Sequence, residues 1–266
     1  MPGSSCVQLK KCNHFKYNFE FFQWLQKNIF QTAAGNVLVA IKQSTNSNMG
    51  EVELTGNSII IHSVIFFYGT AANEALSIEI AKDIADHWNE PGAIINMWGR
   101  SRLVFFDIEG VWAEELTPEI VFENINPRNN YFRIEAFAGT GFNSVSSVDG
   151  LGSNTGYFKL DNLLDHSTTA AHEYGHTLGL DHPDVLDIRG EGVPGIMYPR
   201  GTIVDPAFQY SPVARPGEPG GTMNPFARKV LQKDIEALRL NRLRFNRDGF
   251  AILGEFSSVW HDSRVL

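Results

Sequence analysis

The chain has 266 residues, 43% of them hydrophobic and 20% charged, a balance that fits a folded globular domain and excludes disorder as the expected state. Twenty-two basic residues against 30 acidic ones give a net charge of −8, and with no basic cluster, nucleic acid is not an expected partner. No apolar run reaches the roughly 18 residues that a membrane span needs, and Lys10, Lys11, Lys16 and Glu20 break up any secretory apolar core at the N-terminus.

Phe15, Phe19, Phe22 and Ile29, with Phe21, Trp24 and Leu25, predict an amphipathic helix over residues 15–30 that covers a core. Residues 37–41 read as a strand and 45–50 as a turn. Cys6 and Cys12, the two cysteines, allow either one small disulfide loop or two plain thiols. Residues 51–54 and 59–67 follow as strands. The second is so rich in Ile, Val and Phe that burial on both faces is expected. Leu76, Ile80, Ile84 and Trp88 recur every four residues and predict a helix over 73–88, stopped by Pro91 and Gly92. With a strand at 103–108 it makes a βαβ unit and a parallel strand pair. Residues 131–136 form another strand. Asp149 lies in the irregular, Gly-containing run 149–155 and reads better as a turn residue than as a calcium ligand. A short strand is expected at 156–160.

The run from His172 to His182 carries the chemistry. His172 and His176, four apart on a helix, lie one turn above each other on one face, where one zinc ion can take both ring nitrogens. Glu173 follows the first histidine and can reach a water at that metal, the position that a general base needs. Gly179 can take the left-handed conformation that ends a helix, and this brings His182 back as a third ligand. Three neutral ligands leave a fourth position open, as a catalytic site requires. Asp165, Ser167 and Thr168 supply candidate caps for this helix. Met197 stands fifteen residues after His182 in Gly195-Ile196-Met197-Tyr198-Pro199. Residues 184–194 and 205–225 read as loops, and Val230, Leu231, Ile235 and Leu238 mark a closing helix over 226–240. The tail from Phe250 onward gives no readable signal. His14, His62, His87, His166 and His261 read as surface or core histidines.

The zinc helix together with the Met-containing turn resembles the metzincin metalloproteases; the motifs cover residues 172–199, and a weaker likeness of layout extends over 58–243. The resemblance implies an α+β catalytic domain: a twisted, mostly parallel sheet with an antiparallel edge strand, the zinc helix, a Met-turn forming an apolar floor under the imidazoles, and a C-terminal helix. It places residues 1–57 as an N-terminal extension packed on or preceding the core. Residues 58–266 become the catalytic domain, with an upper part at 58–182 and a lower part at 183–266. It implies one catalytic zinc on His172, His176 and His182, with Glu173 as general base and Gly179 and Met197 structural at the site. It also makes the strand 156–160 the edge that pairs with substrate, so that Gly156, Tyr157, Phe158, Tyr198 and Pro199 are candidate substrate-binding residues. Within the family, Pro183 is similar to serralysins and Met197-Tyr198-Pro199 to matrixins. The serralysin calcium repeats and the second, structural zinc cluster of matrixins are absent, so calcium is not indicated. Pro199 occupies the position of a zinc-reaching tyrosine. Ser4-Ser5-Cys6-Val7 does not match the matrixin latency motif. The implied activity is a zinc-dependent endopeptidase acting on protein or peptide substrates and secreted or delivered outside the producing cell. The alternatives are a zinc hydrolase of non-peptide amides and a catalytically silent binding module. Glu236 on the closing helix is the competing third ligand. The substrate sequence and the oligomeric state are not legible.

Overall fold

The structure, a computed structural model, describes residues 51–136, 146–164, 167–257 and 259–262. The chain divides after Thr45, and every described element belongs to the part from Asn46 onward. The expected helix at 15–30, the strand at 37–41, the turn at 45–50, Cys6, Cys12, His14, Asp165 and His166 lie outside the described residues.

The strands are β1 (Val52–Thr55), β2 (Ser58–Tyr68), β3 (Ile94–Met97), β4 (Arg100–Trp112), β5 (Asn129–Glu135), β6 (Ser147–Val148), β7 (Thr155–Lys159) and β8 (Phe250–Ala251). The helices are α1 (Glu74–Asn89), α2 (Pro118–Phe122), α3 (Thr169–Thr177) and α4 (Gln232–Ala237). All eight strands form one sheet in the order β3-β4-β2-β5-β7-β6, with β1 paired to β2 and β8. The four central strands β4, β2, β5 and β7 run parallel. Antiparallel strands flank them: β3 on β4, β6 on β7, and β1 between β2 and β8. This is a mixed α+β fold with a largely parallel sheet and few helices.

Helix α1 forms where the four-residue apolar repeat predicts it. Asn73 caps it, its side-chain oxygen accepting from the Leu76 N–H at 3.0 Å, and Ile80, Ala81, Ile84 and Trp88 are buried against the sheet. Its last residue docks it in register. The Asn89 amide accepts from Phe106 N–H and donates to Phe106 C=O, both at 2.9 Å, so one side chain takes the place of a neighbouring strand's backbone. Trp88 Nε1 donates to Ala171 C=O at 3.0 Å and thereby ties α1 to α3.

The structure corrects several expectations. Strand β2 is not buried on both faces. Ile59, Ile61, Ser63, Ile65 and Phe67 are buried on the helix side, whereas Ile60, His62 and Val64 are only half-buried. The reason is that α1 and α3 cover one face, and the other carries, among the described residues, the smaller cluster of Tyr68, Val121 and Tyr131 with Phe66 and Trp260 packed on it. The strand expected at 103–108 extends over Arg100–Trp112 and is preceded by β3 in an antiparallel pair, a hairpin that the sequence reading missed. Strand β1, within the residues assigned to the N-terminal extension, pairs with β2. The closing helix is only the six residues of α4, preceded by a 3-10 turn at Pro225–Ala227.

The tail has a structural part to play. Strand β8 completes β1, Trp260 stacks on Tyr68 at 4.8 Å, and Arg133 donates to the His261 carbonyl at 2.8 Å. Leu253 N–H donates to the fully buried carboxyl of Glu51 at 3.2 Å. Burial pushes the Glu51 pKa well above the ordinary carboxylate range, against the smaller pull of that N–H. The sign follows directly. The folded state keeps a proton that the unfolded chain releases, so stability falls as pH rises from the ordinary Glu value toward the raised one. Glu51→Gln, which keeps an acceptor for Leu253 without the charge, should therefore raise Tm at pH 8 and flatten its decline between pH 5 and 8. Thermal melts at the two pH values check this; identical slopes for the two proteins would show that Glu51 ionises freely.

Candidate metal centre

Helix α3 presents His172, Glu173 and His176, and its end is built to return the chain. Gly179 has φ +90°, a left-handed conformation that suits glycine. Around it Leu180 N–H donates to Gly175 C=O at 3.0 Å and Gly179 N–H to His176 C=O at 2.9 Å, the two bonds of a Schellman cap. Two residues later His182 faces back to the helix. Its Nε2 lies 3.0 Å from His172 Nε2 and 3.1 Å from His176 Nε2.

The tautomers are set by the backbone. His172 Nδ1 is 2.7 Å from Ile196 C=O, and His176 Nδ1 is 2.7 Å from Leu180 C=O. A carbonyl can only accept, so both Nδ1 atoms carry the proton and both Nε2 lone pairs face the common point. Burial, then the Arg228 charge, pushes His172 down to about 2; burial likewise lowers His176 and His182. All three rings are held neutral. His182 can donate its proton to only one neighbour, so a lone pair is left against a lone pair at about 3 Å unless a cation lies between them. Three nitrogens tetrahedrally placed 2.0–2.1 Å from one zinc ion would sit roughly 3.3 Å apart. The donor set and its spacing fit zinc, and among the described residues this is the one cluster of three or more such side chains able to hold a metal ion.

Glu173 is buried beside His172. Burial raises its carboxyl to about 7, while Arg228 and the Val148 backbone N–H pull it down. Arg228 is itself buried. Its Nε donates to Thr168 Oγ1 at 3.0 Å and its Nη1 to Tyr198 C=O at 3.1 Å. Burial lowers it to about 10, with Glu173 acting in the opposite sense.

A tight turn follows from Gly195 to Tyr198, closed by Tyr198 N–H on Gly195 C=O at 3.3 Å. It places Ile196 to receive the His172 proton and packs Met197 against the helix. A Cβ on Gly175 would fall 2.3 Å from Met197 Sδ and 3.2 Å from Trp88 Cζ2. The middle residue of the motif is therefore glycine because methionine and tryptophan fill the space where its side chain would be.

The other expected positions divide. Tyr198 is buried with Ile188, Val204 and Met223, and Pro199 is half-buried beside it with its carbonyl taken by Thr202. The expected edge strand is not an edge: β7 pairs parallel with β5 on one side and antiparallel with β6 on the other. Gly156, Tyr157 and Phe158 are buried within the sheet and have no open backbone row to offer. The edge beside the site is β6. Glu236 is remote in role, since its carboxylate accepts from Gln232 on its own helix at 2.9 Å. Helix α3 begins after Thr168, which makes no side-chain cap bond; Ser167 Oγ accepts from Thr169 N–H instead. His62, His87 and His261 all face carboxylates, and Asp149, considered above for calcium, is the partner of His261 at 2.9 Å. The sequence reading missed Arg228, which lies in a stretch taken for the start of the closing helix, and the carbonyls of Ile196 and Leu180, which leave no trace in residue type.

No family model and no curated protein matches the chain. Among solved structures it is similar to the archaemetzincin of Methanopyrus kandleri at 16% identity and a TM-score of 0.36, over 68% of this chain and 95% of that one. So loose an overlap adds nothing to the site, which stands on its own geometry.

Gly175→Ala should cost about 1–3 kcal/mol in urea denaturation, the usual penalty for overpacking. Adding Met197→Ala should recover part of it, giving a coupling of roughly 1 kcal/mol or more in the double-mutant cycle. Additive losses would show that the two residues do not compete for the same space.

Proposed function

We propose that the chain is a zinc-dependent endopeptidase of the metzincin kind, with His172, His176 and His182 as ligands and Glu173 as general base. The observation that carries this reading is the convergence of three imidazole nitrogens beside a buried carboxylate, with the outer nitrogens of His172 and His176 bonded to carbonyls. Zinc bound there would supply Lewis acidity, acidifying a water and polarising the scissile carbonyl. Ile196 and Leu180 keep the His172 and His176 rings oriented through their carbonyls, the second-shell role that fixes a ligand's direction. Glu173 takes the proton of the attacking water on a carboxylate oxygen and passes it to the leaving amine nitrogen. A carboxyl near 7 in this pocket is suited to both transfers. The turn Gly195–Tyr198, with Met197 under Gly175, serves as the Met-turn.

Peptides are favoured over smaller amides by β6. Among the described residues it pairs with β7 alone, and the backbone of Val148 comes near enough to Glu173 to pull its pKa down. An extended peptide can add to that edge by backbone hydrogen bonds and lie across the metal centre.

Incubating the zinc-loaded protein with a mixed peptide library and reading new termini by mass spectrometry should show defined cleavages that a hydroxamate blocks; an uncut library would reject the peptidase reading. Glu173→Gln should lower kcat/KM by about 10²–10⁴-fold or more, the contribution of general acid–base catalysis, while zinc content stays at about one per chain. His182→Ala should lose most zinc and all turnover, whereas Glu236→Ala keeps both. Zinc stoichiometry on the two purified variants decides between them: an emptied Glu236→Ala site would overturn the ligand set.

A further inference from the structure

Arg228 is a buried cation that makes no ion pair among the described residues, Glu173 acting on it only from beyond contact distance. Among the described residues no carboxylate comes within ion-pair distance, and its bonds go to neutral acceptors: Thr168 Oγ1, Pro225 C=O at 3.4 Å and Tyr198 C=O. Taking a charge out of water without a partner is costly. These bonds use Nε and Nη1. Nη2 makes no hydrogen bond within the described residues, yet the fully enclosed polar atoms without partners there are Arg102 Nε and Gln209 Oε1 alone. Nη2 is therefore not fully enclosed, although the residue as a whole is buried.

Arg228 lies close enough to the metal centre to act electrostatically on Glu173 and on all three histidines. Thr168, which Arg228 holds, accepts the His172 N–H through its own carbonyl at 2.9 Å, and Tyr198 follows Met197 directly. The surroundings add positive charge to a chain that is acidic overall. Lys233 Nζ stands 5.3 Å over the Tyr198 ring, and Arg200 is close enough to depress Arg228. The nearby Asp234 is committed elsewhere, accepting the Leu231 N–H at 2.8 Å in the cap of α4. A bound zinc would add two further positive charges; the carboxylates that act there besides Glu173 are Asp181, near His176 and His182, and Glu191, near Tyr198.

We propose that Arg228 is a specificity-determining residue whose free Nη2 takes a carboxylate of the bound peptide, so that the site selects acidic over neutral substrates. This rests on the peptidase reading above. The carboxylate has two sources, an Asp or Glu side chain near the scissile bond or the terminal carboxylate of a short peptide, and the guanidinium fork suits either.

The test uses the zinc-loaded full chain and matched peptides. In one arm, amidated peptides carry a single Asp or Asn moved through the positions flanking the scissile bond. In the other, neutral peptides end in a free carboxylate or an amide. The acidic member of one arm should be preferred about tenfold or more in kcat/KM, the scale of a charged hydrogen bond, and the arm that shows it identifies the source. Equal rates in both arms would overturn the proposal. The preference ratio should collapse toward one in Arg228→Gln. If that protein does not fold, Arg228→Lys carries the test: it keeps the charge but not the fork, and the ratio should fall about threefold or more. An unchanged ratio would acquit Arg228. Binding to the zinc-loaded Glu173→Gln protein, read by fluorescence anisotropy, separates the two readings. Tighter binding of acidic peptides by a chain that cuts none would reject the peptidase and keep the assignment of Arg228; no binding preference would reject that assignment whatever is cut.

Discussion

Three imidazole lone pairs aimed at one point repel each other, and much of what surrounds α3 is explained by the need to hold them there. Two carbonyls take the outer protons and prevent the rings from turning away. One of these carbonyls, on Leu180, comes from the helix's own cap; the other, on Ile196, comes from a turn sixteen residues beyond the cap glycine. That turn must approach the helix closely, and it can do so because Gly175 leaves room for Met197. Trp88 fills the remaining space and is itself hydrogen-bonded to α3. Ligand geometry, glycine spacing and core packing are thus one constraint seen at three places.

This explains why some of the molecule is legible in its residues and some is not. The histidine spacing and the glycine that breaks the helix are dictated by local geometry, so four-residue periodicity and a single left-handed position reveal them. Helix α1 is legible for the same reason. The assignment of the substrate edge failed because strand order is a non-local property. Residues 156–160 read as a short strand whose place at the edge was implied by the resemblance alone, and only the pairing of β7 with both β5 and β6 shows otherwise. The closing helix was read too long because Val230 fits a helical stripe although it precedes α4. Arg228 could not be foreseen, since burial of its guanidinium depends on Thr168 and Tyr198, acceptors from distant parts of the chain, as well as on the nearby Pro225 carbonyl.

Electrostatically the centre departs from the whole. Around Tyr198, beside the metal ligands, Arg228, Lys233 and Arg200 stand with the carboxylates of Glu191 and Asp234, and of these charges Arg228 is the most deeply buried. A low-dielectric wall behind such a group strengthens its field toward the open side. The same guanidinium holds Glu173 toward its ionised form, so one buried charge acts on both the base and the space that faces it.

The pairing of β1 with β8 has a consequence for how the chain is made. Strand β1 lies at the start of the described fold and its second partner nearly two hundred residues later, with Glu51 taking the Leu253 N–H beside it. Closing a loop of that length is entropically unfavourable until the intervening core exists, and contacts so distant in sequence slow folding. During synthesis the ribosome releases the metal-binding helix well before the residues that seal the sheet on which that helix rests. Completion of the sheet is therefore late relative to the emergence of that helix, and the chain passes through an interval in which its histidines have emerged but the scaffold beneath them is still open.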